Sequence, residues 1–176
     1  MLNEFIAIDL ETTGIFPPER QQIIEYGCVR FRDGVAVEEF QTFVSLHRSL
    51  PPFITRLTGI RREDLAGAPG EEEAFRQVLD FAGDAPLVAH NMAFDFAFLD
   101  FLSRLYFKKV LANPLVCTLI LARELDLPVR NRRLSTLSEY FRLPEDAPHR
   151  ALEDARRAGL LYLRLAALKE DDLNGL

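Results

Sequence analysis

The chain has 176 residues, enough for one domain with a sizeable core, and its 48% hydrophobic and 27% charged content is that of a soluble globular protein. A formal net charge of −6 excludes a protein that coats long stretches of nucleic acid by neutralising phosphates, though not one that grips a single end. No apolar run approaches the roughly 18 residues of a membrane span, and the opening "MLNEF" lacks a secretory layout. The two cysteines, Cys28 and Cys117, lie far apart, so a reducing, cytoplasmic setting with buried free thiols and no membrane partner is expected.

In chain order, "EFIAIDLE" and "QIIEYGCVRF" read as strands, and "RDG" (Arg32 to Gly34) reads as a hairpin turn into a third strand, "VAVEEFQTFV". The period then changes. "EEEAFRQVLDFA" has helical spacing, "PLVAH" is a short buried strand, and "MAFDFAFLDFLSRLYF" has the length of a helix. A further apolar piece, "PLVC", leads to helices over about Thr118 to Leu125 and Leu134 to Phe141. A last amphipathic helix runs from about Arg150 to Lys169, with Leu152, Leu160, Leu161, Leu163 and Leu165 to bury. Strands followed by alternating strand and helix predict an α/β fold, a mixed five-stranded sheet flanked by helices. Nothing divides the chain internally, so a single domain over 1–170 with a frayed polar tail over 171–176 is expected.

Three segments carry chemistry. In "FIAIDLETTG", Asp9 and Glu11 alternate on one strand face, about 7 Å apart, at the end of a buried run where like charges resist desolvation. A strand end reaching water explains that pair equally well. In "AHNMAFDFAFL", Asp95 is the one formal charge between His90 and Leu99, and on a helix it shares a face with Asn91, Phe98 and Leu99. A carboxylate so placed needs a paired charge or a metal. In "PHRALEDARRAG", His149 and Asp154 are five residues apart, about 140° around a helix, so they are not neighbours on one face. Pro148 disfavours helix at Ala147 and places His149 in the first turn or the loop before it, a mobile group beside a rigidly held acid, although for this motif alone a helix-start histidine and one more acid on a polar helix face is the stronger reading.

Asp-x-Glu ending the first strand, His-Asn-x-x-x-Asp opening a helix and His-x-x-x-x-Asp at the last helix together resemble the DnaQ-like DEDDh 3′-to-5′ exonucleases, in order and spacing from Phe5 to about Leu163. "ITRLTGI" and "LSTLSEYF" are similar to linking segments of bacterial DNA polymerase III proofreading epsilon-subunit and PolC-type exonuclease domains. No tyrosine stands before Asp154 as the sister subclass requires, which indicates the histidine branch. Cys117 departs from the acid that many relatives carry, which touches a local support contact only.

The resemblance implies a ribonuclease H-like fold and a hydrolase in which Asp9, Glu11, Asp95 and Asp154 hold two divalent cations, Mg²⁺ or Mn²⁺, while His149 takes the proton of the attacking water. It implies removal of nucleoside 5′-monophosphates from single-stranded DNA ends, in proofreading or repair, with a DNA polymerase subunit as a further partner. Thr12, Thr13 and Gly14 would offer backbone N–H groups to the terminal sugar, and Leu57 and Thr58 would lie near its base. For Leu57, simple core packing is an equal expectation. His90 and Asn91 would support the phosphate or hold Asp95. The arginines of "RNRR" and "IRRED" face the incoming strand or plain solvent. The alternatives are trimming of RNA 3′ ends, or a non-catalytic module that docks on a polymerase or binds a nucleic-acid end.

Overall fold

β1 (Glu4–Thr12) has no polar face to give to solvent: Phe5, Ile6, Ala7 and Ile8 are all buried, as expected of a central strand covered on both sides. The computed structural model describes residues 1–15, 17–144 and 149–174, with backbone only for 171–174. β2 (Ile23–Arg32) and β3 (Val35–Phe43) extend β1 as an antiparallel meander. Their hairpin turns at Asp33 and Gly34, which both have positive φ (50° and 79°) and so match the strand twist. β4 (Leu87–Ala89) lies parallel to β1, and β5 (Leu115–Cys117) parallel to β4, giving the sheet order β3-β2-β1-β4-β5.

The helices divide between the faces by the strand period. Even-numbered β1 residues, Ile6, Ile8 and Leu10, pack with Tyr26 and Cys28 against α2 (Glu71–Ala82) and α3 (Met92–Phe107), through Phe75, Val78, Phe98, Leu99 and Leu102. Odd-numbered Phe5 and Ala7 join Val29 and Phe31 against α6 (Ala151–Asn174), through Ala155 and Tyr162. Each buried Ile, Leu, Val or Phe among them contributes about 1.5–3 kcal/mol by leaving water. α4 (Thr118–Glu124) and α5 (Leu134–Phe141) complete a satellite cluster with α6, in which Leu137, Leu161 and Leu165 are buried. Leu152, Leu160 and Leu163 are partly buried beside it.

α6 can rest on the sheet because β2 and the helix each offer a glycine. A β-carbon on Gly27 would sit 2.1 Å from the Ala151 carbonyl carbon, and one on Gly159 would sit 2.2 Å from the Phe31 ring. Gly27 lies directly opposite Asp9 in the β1–β2 ladder. The first turn of α6 is therefore seated beside the first acid.

Three expectations need correction. α1 (Pro52–Thr58) and two short 3₁₀ turns, Pro18–Arg20 and Arg62–Leu65, escape the pattern reading because each is too short to show a period. The expected polar tail instead continues α6 to Asn174. No helix breaker precedes Gly175 in the sequence, and the last turns are tethered by Lys169 to Glu124 (2.5 Å) and by the terminal amine to Glu170 (2.5 Å). Both cysteines are free, but only Cys28 is buried; Cys117, at the end of the edge strand β5, is half-buried.

Candidate active site

The site is built where β1 runs out under α6. Asp9 and Glu11 project to the α6 face, and directly opposite them in the ladder stand Gly27 and Glu25 of β2. The register shifts immediately after Glu11, so that Ile24 is an extra residue on β2. Ile24 packs on Ile54, Ile60 and Leu65, which anchors α1 at this corner of the molecule.

Asp95 enters from the first turn of α3 and is only 2% exposed. Asp154 lies in the first turn of α6 and is buried. Its Oδ1 accepts from Arg157, one turn along the helix, and its Oδ2 accepts the His149 backbone N–H at 3.2 Å. His149 precedes the helix in a left-handed turn (φ 59°) and is exposed, so it sits in the loop as expected. Pro148 and Ala147, on which that expectation drew, lie outside the described residues. Ligand atoms of Glu11, His149 and Asp154 all fall within 4.8 Å of one another.

The electrostatics record the crowding. Burial, with Asp95, Asp154, Glu11 and Glu25 adding to it, pushes the Asp9 carboxyl well above the usual range. Asp95 is also raised well above it, chiefly by burial; its own backbone N–H opposes this and Glu11 adds to it. Glu11 is pushed up to about 8 by burial and by the charges of Asp154 and Glu25, with Arg150 opposing. Such a group of carboxylates is unfavourable alone and becomes favourable around cations. All its acid donors are hard oxygens, which suits Mg²⁺-like ions better than soft metals.

Glu25 was not anticipated. It is fully buried, and its Oε1 accepts from Arg150 Nη2 at 2.8 Å, from Arg150 Nε at 3.2 Å and from Gln41 Nε2 at 2.6 Å. Its Oε2 accepts the Ala151 backbone N–H at 3.1 Å, which caps the start of α6. A lone charge inside the apolar run "QIIEYGCV" was the available signal.

The expected substrate contacts divide. The Thr13 amide donates to Gln22 O (2.9 Å), and its hydroxyl donates to Gln21 and accepts from the Gln22 amide, so Thr13 locks the turn. The Thr12 hydroxyl is turned onto the Gly14 carbonyl (2.6 Å), and a β-carbon on Gly14 would strike the Gln21 side chain. Thr58 is buried, donating to Ile54 O and accepting from the Ile60 amide, which makes it a helix-end device. Leu57, by contrast, is 50% exposed and shares its helix face with Phe53, so the packing alternative is overturned. His90 is not among the acids. Its ring bonds Thr118 Oγ1 (2.9 Å), burial holds its imidazole down to about 4, and it lines a separate cavity with Asn91. The left-handed Asn91 (φ 68°) turns the chain between His90 and the start of α3.

Residues 6–162 match the family model described as "Exonuclease", of the RNase T type. The chain is 34% identical over 161 residues to the DNA polymerase III subunit epsilon of Aquifex aeolicus, covering 92% of this chain and 79% of that protein. It is 34% identical over 170 residues to the PolC-type DNA polymerase III of Clostridium perfringens, where the match takes up 96% of this chain but only 12% of the relative. Among solved structures, exonuclease X in complex with 5′-overhanging duplex DNA superposes with a TM-score of 0.74 at 24% identity, covering 93% of this chain and 92% of that one. The sheet order and helical layers are those of a ribonuclease H-like fold, and DEDDh exonucleases use divalent metals. With its sequence matched from β1 into α6, the chain belongs to the exonuclease family.

Proposed function

We propose that this chain is a metal-dependent exonuclease that removes nucleoside 5′-monophosphates from the 3′ end of single-stranded DNA, as a proofreading or repair activity working with a DNA polymerase in the cytoplasm. The observation that carries the reading is the crowding of half-buried Asp9 and Glu11 with buried Asp95 and Asp154, beside an exposed His149. Asp9, Glu11, Asp95 and Asp154 would hold two divalent ions, Mg²⁺ or Mn²⁺, which supply Lewis acidity at the phosphoryl oxygens and lower the pKa of water.

The chain's own residues do the rest. Arg157 and the His149 amide orient the Asp154 carboxylate from both oxygens. Glu25 holds the first turn of α6 to β2 through Arg150 and Ala151, which keeps His149 beside Glu11. In this reading His149 accepts the proton of the water that adds to phosphorus as the P–O3′ bond breaks. The O3′ oxygen leaves with the bonding pair and is protonated, so the shortened strand ends in a free 3′-hydroxyl. Leu57 and Phe53 offer an exposed apolar pair on which a terminal base can stack when the end is frayed.

The test is a time course on a 5′-labelled single-stranded DNA with Mg²⁺, Mn²⁺ or EDTA, beside Asp95→Ala and a matched RNA. A ladder shortening from the 3′ end, lost with EDTA and with the substitution, supports the reading. Faster loss of the RNA would move the substrate to RNA, and intact oligomers under every metal condition would leave a docking or end-binding module.

A further inference from the structure

A second charged feature lies on the other side of the α3 entry. A cavity of about 490 Å³ is lined by His90, Asn91, Leu119, Arg123, Arg132 and Arg133, with Leu134 at its edge and no carboxylate. This matters in a chain of net charge −6. Arg30, Arg76, Arg104, Arg150, Arg156 and Arg157 are each paired with an acid, and the cavity beside Arg56, Arg61 and Arg62 includes Glu63. Arg123 and Arg133 are exposed and have no ion pair among the described residues.

Their positions are nonetheless held. Arg132 between them is spent on structure: its guanidinium donates to Ala122 O (2.9 Å), Val129 O (3.2 Å) and Leu125 O (3.4 Å), folding the connection between α4 and α5 back on the end of α4. Arg123 is fixed in the last turn of α4, and Arg133 at the start of α5, which has no acid in its first turn. Two unpaired guanidinium groups on a braced wall form a site for anionic oxygens, which their planar forks bind in pairs.

α3 connects this wall to the acids. Asn91 lines the cavity, and Asp95, one helical turn of about 5.4 Å further on, enters the carboxylate cluster. We propose that Arg123 and Arg133 bind backbone phosphates of the nucleic-acid strand lying 5′ to the terminal nucleotide, so that this cavity is the strand-holding subsite of the exonuclease. The inference rests on the exonuclease reading. It assigns the acids to the bond that breaks and the arginines to the strand that remains.

The test compares the wild type with Arg123→Ala/Arg133→Ala on two substrates, a single-stranded oligonucleotide and the p-nitrophenyl ester of thymidine 5′-monophosphate, over a range of salt. The expected result is a KM for the oligonucleotide raised about tenfold, an unchanged kcat/KM on the ester, and a log–log salt slope for oligonucleotide binding shallower by about 1–1.5. Arg→Lys at both positions should restore part of the affinity. An unchanged oligonucleotide KM and salt slope would overturn the subsite, as would a parallel loss on the ester, which would mark a structural effect. A wild type that cuts neither substrate would sink the exonuclease reading itself, and the subsite with it.

Discussion

Glu25 of β2 and Arg150 at the head of α6 are 125 residues apart in sequence and meet as a two-pronged ion pair, with the carboxylate fully buried and its second oxygen on the Ala151 amide. Glu25 also stands directly opposite Glu11 in the ladder, where two like charges would ordinarily weaken a sheet. Arg150 opposes that repulsion. The residue next to it is His149, so the pair that relieves the sheet also places the histidine.

Glu25→Ala is therefore expected to lower stability by about 1–3 kcal/mol, because the Ala151 amide loses a buried acceptor. Activity should fall further than stability explains, with kcat reduced at least tenfold and KM for an oligonucleotide little changed. Glu25→Gln, which keeps one acceptor oxygen, should recover most of the stability and only part of kcat. Urea unfolding and initial rates on the same preparations measure both.

Asp95→Asn should behave in the opposite sense. A buried carboxyl raised well above its usual range is a cost to the metal-free fold, so its amide is expected to leave the melting temperature equal or higher. Metal-dependent hydrolysis should drop by about a thousandfold or more. A large loss of stability together with activity would show that Asp95 is a structural acid instead.

The acids also predict how stability depends on pH. Glu11 titrates near 4.5 when unfolded and at about 8 in the folded chain, so across that window the fold keeps a proton that the unfolded chain has released. Stability of the metal-free protein should then decline as pH rises from about 4.5 to about 8, and Asp9 and Asp95 push in the same direction. Mg²⁺ or Mn²⁺ displaces those protons, so the rise in melting temperature on adding metal should be greater near pH 8 than near pH 6. Thermal melts with and without EDTA read this directly.

His149→Ala should reduce kcat by about 10²–10⁴ while leaving oligonucleotide affinity within about twofold, since the side chain is exposed and its backbone amide still bonds Asp154. A comparable loss of affinity would place the ring among the ligands of the substrate or metal.

Much of this architecture was legible. The three meander strands and the helices α2, α3 and α6 follow from period, and Asp95 stands out because a single charge among phenylalanines has to be compensated. Glu25 obeys the same logic, between Ile24 and Tyr26, yet its compensating arginine lies at the far end of the chain, where local spacing has no reach. The Thr118 partner of His90 is hidden for another reason. It depends on the left-handed backbone of Asn91, and a non-glycine residue adopts that conformation only where the surrounding fold imposes it. The hydroxyls of Thr13 and Thr58 bond within their own turns, to partners that residue type and spacing do not reveal.

Gly27→Ala is expected to be among the most damaging single changes outside the acids. The added methyl would meet the backbone of Ala151 and Leu152, which cannot move as a flexible side chain would. Overpacking of this kind costs about 1–3 kcal/mol and commonly more against main chain. Activity should be lost even where the protein remains folded, with circular dichroism and the oligonucleotide assay run side by side.

The bare backbone at Gly27 thus acts as a gauge. It sets the clearance between helix and sheet at the position opposite Asp9, and hence the aperture in which, on the proposed function, four carboxylates would hold their ions. Every acid can be present and the aperture still be wrong by the width of one methyl group. Whether a chain with this set of acids is competent to cut is therefore decided at two kinds of position, those that supply the charges and the one that, by supplying no side chain, lets them converge.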